Sequence, residues 1–423
     1  MRLPVVLLLS AASLFAETKT LTLREALDLA LAQNPDVMLS RLDQQKARQS
    51  VTIARDPFLP KVFAGSGAAW TSGFPASING EAPAIVEVKT QMSLFDQPQR
   101  YRIAAARESA RGAEIDVARQ QEEVAYRVAN LYLDAEKAGH EVGAARLEAD
   151  NLSRAANVMK TRVDEGRELP LDGQRALLAV ESVKLAVSQL ERDLGDAETS
   201  LAVALGMKPD DRVHAAGDHA PFLMPDSEQA AIDRILESSP ELKRLESQMQ
   251  AKELEIKSYR AERLPKADLV AQDQVYAKYY YQNFFSQFKR NSAQLGASFS
   301  IPLLAGNAAK AYISQAEADI ARLQIQMDKT RAQIVTDARR AFANVKSAEG
   351  VRDYARMDLD VARGQVSVDL SQQDEGKLTL ADVERARAQE QLKWVAYYEA
   401  LHSVEVARLN VLRYTGTLLA SVK

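Results

Sequence analysis

Two stretches far apart in this chain carry one pattern. Leu31 opens LAQNPDVMLSRLDQQKARQSVTIARDPFLPKVFAG, and Ile235 opens ILESSPELKRLESQMQAKELEIKSYRAERLPKADLVAQ. Pro35 stands 205 positions before Pro240, and Pro60-Lys61 stands 205 before Pro265-Lys266. Glu165-Gly166-Arg167 precedes Glu375-Gly376-Lys377 by 210. The small drift fits a difference in loop length. Two repeats of about 200 residues are too few and too long for a stacked solenoid. The expected organisation is a leader at 1–16, a first structural repeat at 17–211, and a second of the same order at 212–423.

Each half lists the same elements. A lead helix is opened by Thr22-x-x-Glu25 in the first half and Asp226-x-x-Gln229 in the second, both near the capping-box pattern. Pro57 and Pro265 end these helices. Strands are expected around Val62–Trp70 and Ala267–Tyr276, then again at Val86–Leu94 and Ser292–Ile301. Val86, Val88, Thr90, Met92 and Leu94 alternate with Glu87, Lys89, Gln91 and Ser93. Ala293, Leu295, Ala297, Phe299 and Ile301 alternate with Ser292, Gln294, Gly296, Ser298 and Ser300. A period of two marks a strand with one wet and one apolar face.

A long helix follows each second strand, then a short break and a helix back. The first is expected over Pro98–Glu165, about 100 Å at ~1.5 Å per residue. Apolar or small residues recur in steps of three and four from Ile103 to Val117 and from Val128 to Val163, with a stagger at Gln120–Val128. The returning helix repeats the seam through Val180, Val183, Val187, Leu190, Leu194 and Leu201. Alanine at many seam positions lets helix axes approach closely. Taken alone, these helices fit a soluble rod as well.

Composition narrows the functions. The 423 residues carry a formal net charge of −4 with 26% charged residues, so no basic excess points to nucleic acid. Glycine and proline number only 18 and 14, as long helices require. There is no cysteine, hence no disulfide, thiolate metal site or lipidated cysteine anchor. His140, His214, His219 and His402 are scattered, and no HExxH, Walker A, GxGxxG or GxSxG motif occurs. No catalytic residue, metal site or cofactor is expected. MRLPVVLLLSAASLFAETKT reads as an export signal, with Arg2, an apolar run and cleavage expected after Ala16.

The strands decide between a rod and a membrane protein. Four strands cannot close a barrel, and an open edge invites aggregation. A spanning strand needs about 9–11 tilted residues with alternating faces, which Val86–Leu94 and Ser292–Ile301 supply. In lipid only a closed barrel satisfies every backbone group, so the strands are expected to close with those of other copies. The aromatic run YYYQNFFSQF, Tyr279 to Phe288, suits a membrane–water interface or a packed apolar loop.

With LTLREALDLALAQNPDV near the start, SLFDQ and IPLLAGN entering the long helices, the EG-containing breaks and the duplication, the chain resembles a TolC-type outer membrane factor. The resemblance implies a mainly α fold with a β-barrel portion. Antiparallel coiled-coil helices would form a periplasmic α-barrel, and four strands per chain would contribute to a trimeric twelve-stranded outer-membrane β-barrel. It implies a homotrimeric exit duct in outer-membrane lipid, extending into the periplasm. Such a duct conducts passively for an inner-membrane transporter and a periplasmic adaptor, in efflux or type I secretion. The alternative is a periplasmic coiled-coil adaptor or structural rod.

The resemblance also implies roles at the breaks EGRELPLD and EGKLTLAD. Adaptor-binding tips fall at Gly166, Arg167, Glu168 and Leu169 and at Gly376, Lys377, Leu378 and Thr379. The family pattern tends to place leucine after the glycine, where Arg167 and Lys377 stand here. A periplasmic gate falls at Asp172, Asp382 and Arg385, expected to link neighbouring helices in the closed state. Plain helix hairpins account for the same residues. Gly166 and Gly376 suit positive φ, Pro170 a first helical turn, and Thr379-x-x-Asp382 a cap.

Overall fold

The computed structural model describes residues 18–67, 84–217, 221–225, 227–276, 291–303, 307–416 and 418–422. The export signal, the aromatic run at 279–288, His219 and Asp226 lie outside them. Two compact units arise, one from Met1–Leu39, Ala118–Ser239 and Arg331–Lys423, the other from Ser40–Val117 and Pro240–Thr330. Each draws on both halves of the repeat.

The element order is written twice. The first half runs β1 (Thr18–Leu21), α1 (Leu23–Gln33), α2 (Pro35–Arg55), β2 (Lys61–Gly65), β3 (Ala84–Phe95), α3 (Gln97–Asp164) and α4 (Pro170–Ala204). The second runs β4 (Arg212–Ala215), α5 (Glu228–Ser238), α6 (Pro240–Ala261), β5 (Lys266–Tyr276), β6 (Asn291–Ser300), α7 (Ala308–Asp374), α8 (Leu380–Thr415) and α9 (Leu418–Val422). Each lead helix is two helices, split before Pro35 and before Pro240. Proline disfavours helical backbone in the residue before it, and Asn34 and Ser239 are extended or nearly so. Thr22 and Glu25 form the expected capping box. In the second half the cap falls on Ser227, whose Oγ accepts from the Ala230 N–H.

In the second unit, β2, β3, β5 and β6 form one sheet in that order, antiparallel throughout. The register joins the alternating faces across all four strands. One row reads Val62, Thr90, Ala271, Leu295, and another Met92, Leu269, Ala297. Opposite them lie Lys61, Gln91, Val270, Gly296 and Phe63, Lys89, Gln272, Gln294. Gln272 Nε2 donates to Glu87 Oε1 at 3.0 Å, and Ser93 Oγ to Asp268 Oδ1 at 2.6 Å, so the wet face is hydrogen-bonded to itself. Asp273 is the carboxylate set among Val88 and Ala293 on the apolar face. That face is open: Val62, Val86, Val88, Leu295 and Phe299 are exposed. β2 and β6 are the sheet's edges.

In the first unit four long helices lie side by side in the order α4, α3, α8, α7. Leu152, Ala156 and Met159 of α3 pack on Ala176 and Val180 of α4, along the expected seam. Between α3 and α8, Tyr126 Oη donates to Asn410 Oδ1 at 2.7 Å and Arg413 reaches Glu123 at 2.8 Å. Between α8 and α7, Val404, Ala407 and Val411 meet Ala341, Val345 and Ala348, and Arg408 pairs with Glu349 at 2.7 Å. The stagger at 120–128 marks a real change. There α3 is buried more widely, through Val124, Ala125, Val128, Ala129, Tyr132 and Leu133, because α1, β4 and α9 close over it. Tyr132 Oη donates to Leu21 O at 3.2 Å and accepts from Ala216 N at 3.1 Å, tying β1 and the end of β4 to the helix. The parallel β1–β4 pair was not expected from sequence.

Gly206 and Gly416, which follow α4 and α8, hold φ of +85° and +60°. A Cβ on Gly206 would stand 2.6 Å from the Gln33 carbonyl oxygen, whereas one on Gly416 meets nothing within 4 Å. Gly416→Ala should therefore lose about 1–2 kcal/mol, the left-handed strain alone. Gly206→Ala should lose more, because backbone must move, and a larger drop in its thermal unfolding midpoint checks this.

Candidate functional site

The two turns between the long helices are built alike. The Gly166 N–H reaches Val163 O at 2.9 Å and the Arg167 N–H reaches Arg162 O at 2.8 Å. At the second turn Gly376 reaches Gln373 O at 2.9 Å and Lys377 reaches Gln372 O at 2.8 Å. This double closure is a Schellman motif, and it needs the left-handed backbone seen at Gly166 (φ +71°) and Gly376 (φ +75°). Arg167 and Lys377 fold back on Glu165 and Glu375, at 3.1 and 2.5 Å. Gly166, Arg167, Leu169, Gly376, Lys377 and Thr379 are exposed, while Glu168 and Leu378 are half-buried.

The turns differ at their exits. Pro170 opens α4 behind Leu169, which has no side-chain acceptor to give the first turn. Thr379 caps α8: its N–H and its hydroxyl both donate to Asp382 Oδ2, at 3.2 and 2.6 Å. Those bonds, with Arg385 beside it, hold the Asp382 carboxyl below its ordinary pKa.

Each acid named from the sequence already has an arginine one turn along its own helix. Arg385 Nη1 lies 3.2 Å from Asp382 Oδ1, and Arg175 Nη1 lies 3.2 Å from Asp172 Oδ1. Arg175 escaped the sequence reading, although it precedes Arg385 by the same 210 positions that separate the acids. Exposed pairs of this spacing are worth about 0.3–0.5 kcal/mol, so either arginine is easily released to another acid.

Higher up the same seam, burial raises the carboxyl pKa of Glu141 and Glu148 on α3 and Glu384 on α8. Glu148 also faces Arg387, Glu390 and Glu384. Among the described residues no group of histidines and carboxylates is placed to hold a metal ion. His214 Nδ1 lies 2.8 Å from Glu198, and His402 Nε2 lies 2.8 Å from Asp134. Among the described residues no helix is long and apolar enough to cross a membrane.

Comparison with known proteins shows the family. The family model described as outer membrane efflux protein matches residues 26–207 and again 231–417. Protein CyaE of Bordetella pertussis is 28% identical over 342 residues, covering 78% of this chain and 70% of that protein. The outer membrane efflux protein BepC of Brucella suis is 21% identical over 406 residues, covering 94% and 86%. Among solved structures, the Campylobacter jejuni CmeC outer membrane channel superposes with a TM-score of 0.76 at 15% identity, covering 93% of this chain and 85% of that one. The last likeness is one of fold.

The opposite pKa shifts set the pH response. Asp382's lowered pKa means its cap stabilises the fold above the ordinary aspartate range and is lost as pH falls through the lowered value. The raised pKa values of Glu141, Glu148 and Glu384 mean the reverse: their burial opposes folding at neutral pH and is relieved as they take up protons. Amide exchange should show the α3–α8 seam tightening in mild acid. The first turn of α8 should lose protection only at lower pH, and Asp382→Asn should lose it already at neutral pH.

Proposed function

The chain belongs to the outer membrane efflux protein family and is an outer-membrane efflux channel, and on that premise we propose that it works as a homotrimer whose subunits share one barrel. The family is one of channels rather than enzymes. The observation that supports the trimer is the four-stranded sheet whose two edges have no partner strand among the described residues. β2 and β6 run in opposite directions, so β6 of one copy pairs with β2 of the next in the antiparallel sense used within the chain. Three such sheets close into twelve strands, the apolar rows facing lipid and the hydrogen-bonded rows lining water.

The outer helices of the first unit support the same closure. Leu171, Leu178 and Leu185 recur every seventh residue on α4, and Tyr354, Val361 and Val368 every seventh on α7, all exposed. Counted from Gly166, the leucines stand 5, 12 and 19 residues up; counted from Gly376, the α7 residues stand 8, 15 and 22 up. Those heights interleave, as knobs and holes must. α4 of one copy thus packs against α7 of the next and continues the α4, α3, α8, α7 layer into a ring.

In this reading the two glycine turns are the adaptor-binding tips, and an inner-membrane transporter delivers cargo through the adaptor. The tips offer unequal surfaces: Glu168-Leu169 on one, Leu378-Thr379 on the other. Asp172, Asp382 and Arg385, together with Arg175, form the periplasmic gate. Threefold symmetry repeats each charge around the opening. The weak pairs within each helix let Arg175 or Arg385 turn to a neighbouring helix in the closed state.

Planar-bilayer recording tests this. Asp172→Ala and Asp382→Ala, and more so both together, should raise single-channel conductance by releasing the closed end. Wild-type conductance in all three variants would remove the gate.

A further inference from the structure

The second unit holds a polar cleft of about 410 Å³ between α3, α6 and α7. That is room of the size small-molecule sites have, ~300–1,000 Å³. The repeat shows where the room comes from. α3 and α7 present the same register to α6, 210 positions apart. On α7 the wall is Asp319, Arg322 and Leu323; on α3 the same three positions hold Ser109, Gly112 and Ala113. Small residues on one wall leave the space that their counterparts would fill. Ser247 closes the floor: its Oγ donates to Glu108 O at 2.7 Å, and a Cβ on Gly112 would stand 3.3 Å from that Oγ.

Three acids, Asp116, Glu255 and Asp319, and three cations, Arg244, Lys252 and Arg322, line the cleft. Net charge therefore selects nothing, and the pairing decides what is left over. Lys252 Nζ lies 2.9 Å from Glu255 and 3.3 Å from Asp319, so it holds both carboxylates. Arg244 Nη2 lies 2.7 Å from Glu241. Its Nε lies 3.7 Å from Asp116, too far for a hydrogen bond, and is buried without a partner. Buried donors are rarely left so in folded proteins. Arg322 is exposed and holds no hydrogen bond or ion pair among the described residues, because Asp319 one turn back is turned to Lys252. The Gln248 carboxamide, one turn after Arg244 on α6, also lines the cleft. The acids are thus engaged, while donors on α6 and α7 remain.

We propose that this cleft binds a small soluble oxyanion, a carboxylate or a phosphate, between Arg322 of α7 and Arg244 Nε of α6. Guanidinium groups match the paired oxygens of such anions. Position rules out a lipid headgroup as the source. Ser109 and Asp116 stand 12 and 19 residues beyond Gln97, where α3 begins behind β3. At ~1.5 Å per residue that is about 18 and 28 Å from the sheet. The ligand comes from the water around the helices. Once bound, it ties α6 to α7 at a place where the protein's own acids are spent on Lys252.

Calorimetric titration of the purified protein in detergent tests this, with inorganic phosphate and with succinate at constant ionic strength. Saturable binding of at least one of them, one site per chain, is expected. Arg322→Gln should weaken it by about tenfold, the loss of one charge-assisted contact. Ala113→Leu, which gives α3 the residue α7 carries at that position, should block it by filling the space. Arg331→Gln, an exposed arginine of α7 outside the cleft, should leave it unchanged. Circular dichroism checks that each variant is folded. Equal affinity in Arg322→Gln and Ala113→Leu would put the anion elsewhere and overturn the site. If neither anion binds saturably, the cleft takes no oxyanion and the inference falls, with the trimer untouched.

Discussion

Backbone hydrogen bonding in lipid is the constraint on which this molecule depends. A strand inside a bilayer has no water to satisfy its N–H and C=O groups, so a sheet there must close on itself. Among the described residues the chain carries four strands of one sheet, with an apolar face running through Val62, Thr90, Ala271 and Leu295 and two edges without a partner strand. No side-chain substitution relieves those edges. Only more strands do, and in the proposed trimer other copies of the chain supply them in the right direction. In the proposed trimer the closed barrel, its lipid-facing surface and its water-filled lumen all answer that one requirement.

Duplication converts the requirement into a helical body. Each repeat contributes one hairpin of strands and one hairpin of long helices, and the outermost helices keep heptad-spaced apolar side chains in the open. The contacts at the glycine turns are weak. There, exposed Asp–Arg pairs and one threonine cap hold the helix starts, a small energy beside the apolar seams above them. That gradient fits the proposed gate, which would open at one end without dissolving the proposed ring.

Much of this was legible in the residues. Glycine at 166 and 376 announced the left-handed turns, and a period of two announced β3 and β6 because each side of the sheet faces a different medium. α3 begins and ends one residue from the expected bounds, since a heptad seam repeated so often leaves little freedom. Local pattern failed where distant segments decide. The four residues of β1 and of β4 pair only because α3 brings them together at Tyr132, and strands that short show no period. The split lead helices had a signal in Pro35 and Pro240, which disfavour helical backbone at Asn34 and Ser239 before them. Arg175 was recoverable from the repeat offset. The open face of α2 was not, because nothing local in the sequence sets Leu42 and Ile53 apart from apolar residues of a buried seam.

The most direct measurement is native mass spectrometry of the protein released from detergent micelles. Three copies per particle is the stoichiometry at which four strands each make the proposed barrel. One copy would leave the edges of β2 and β6 unpaired and two copies would supply only eight strands, and either count would contradict the twelve-stranded account.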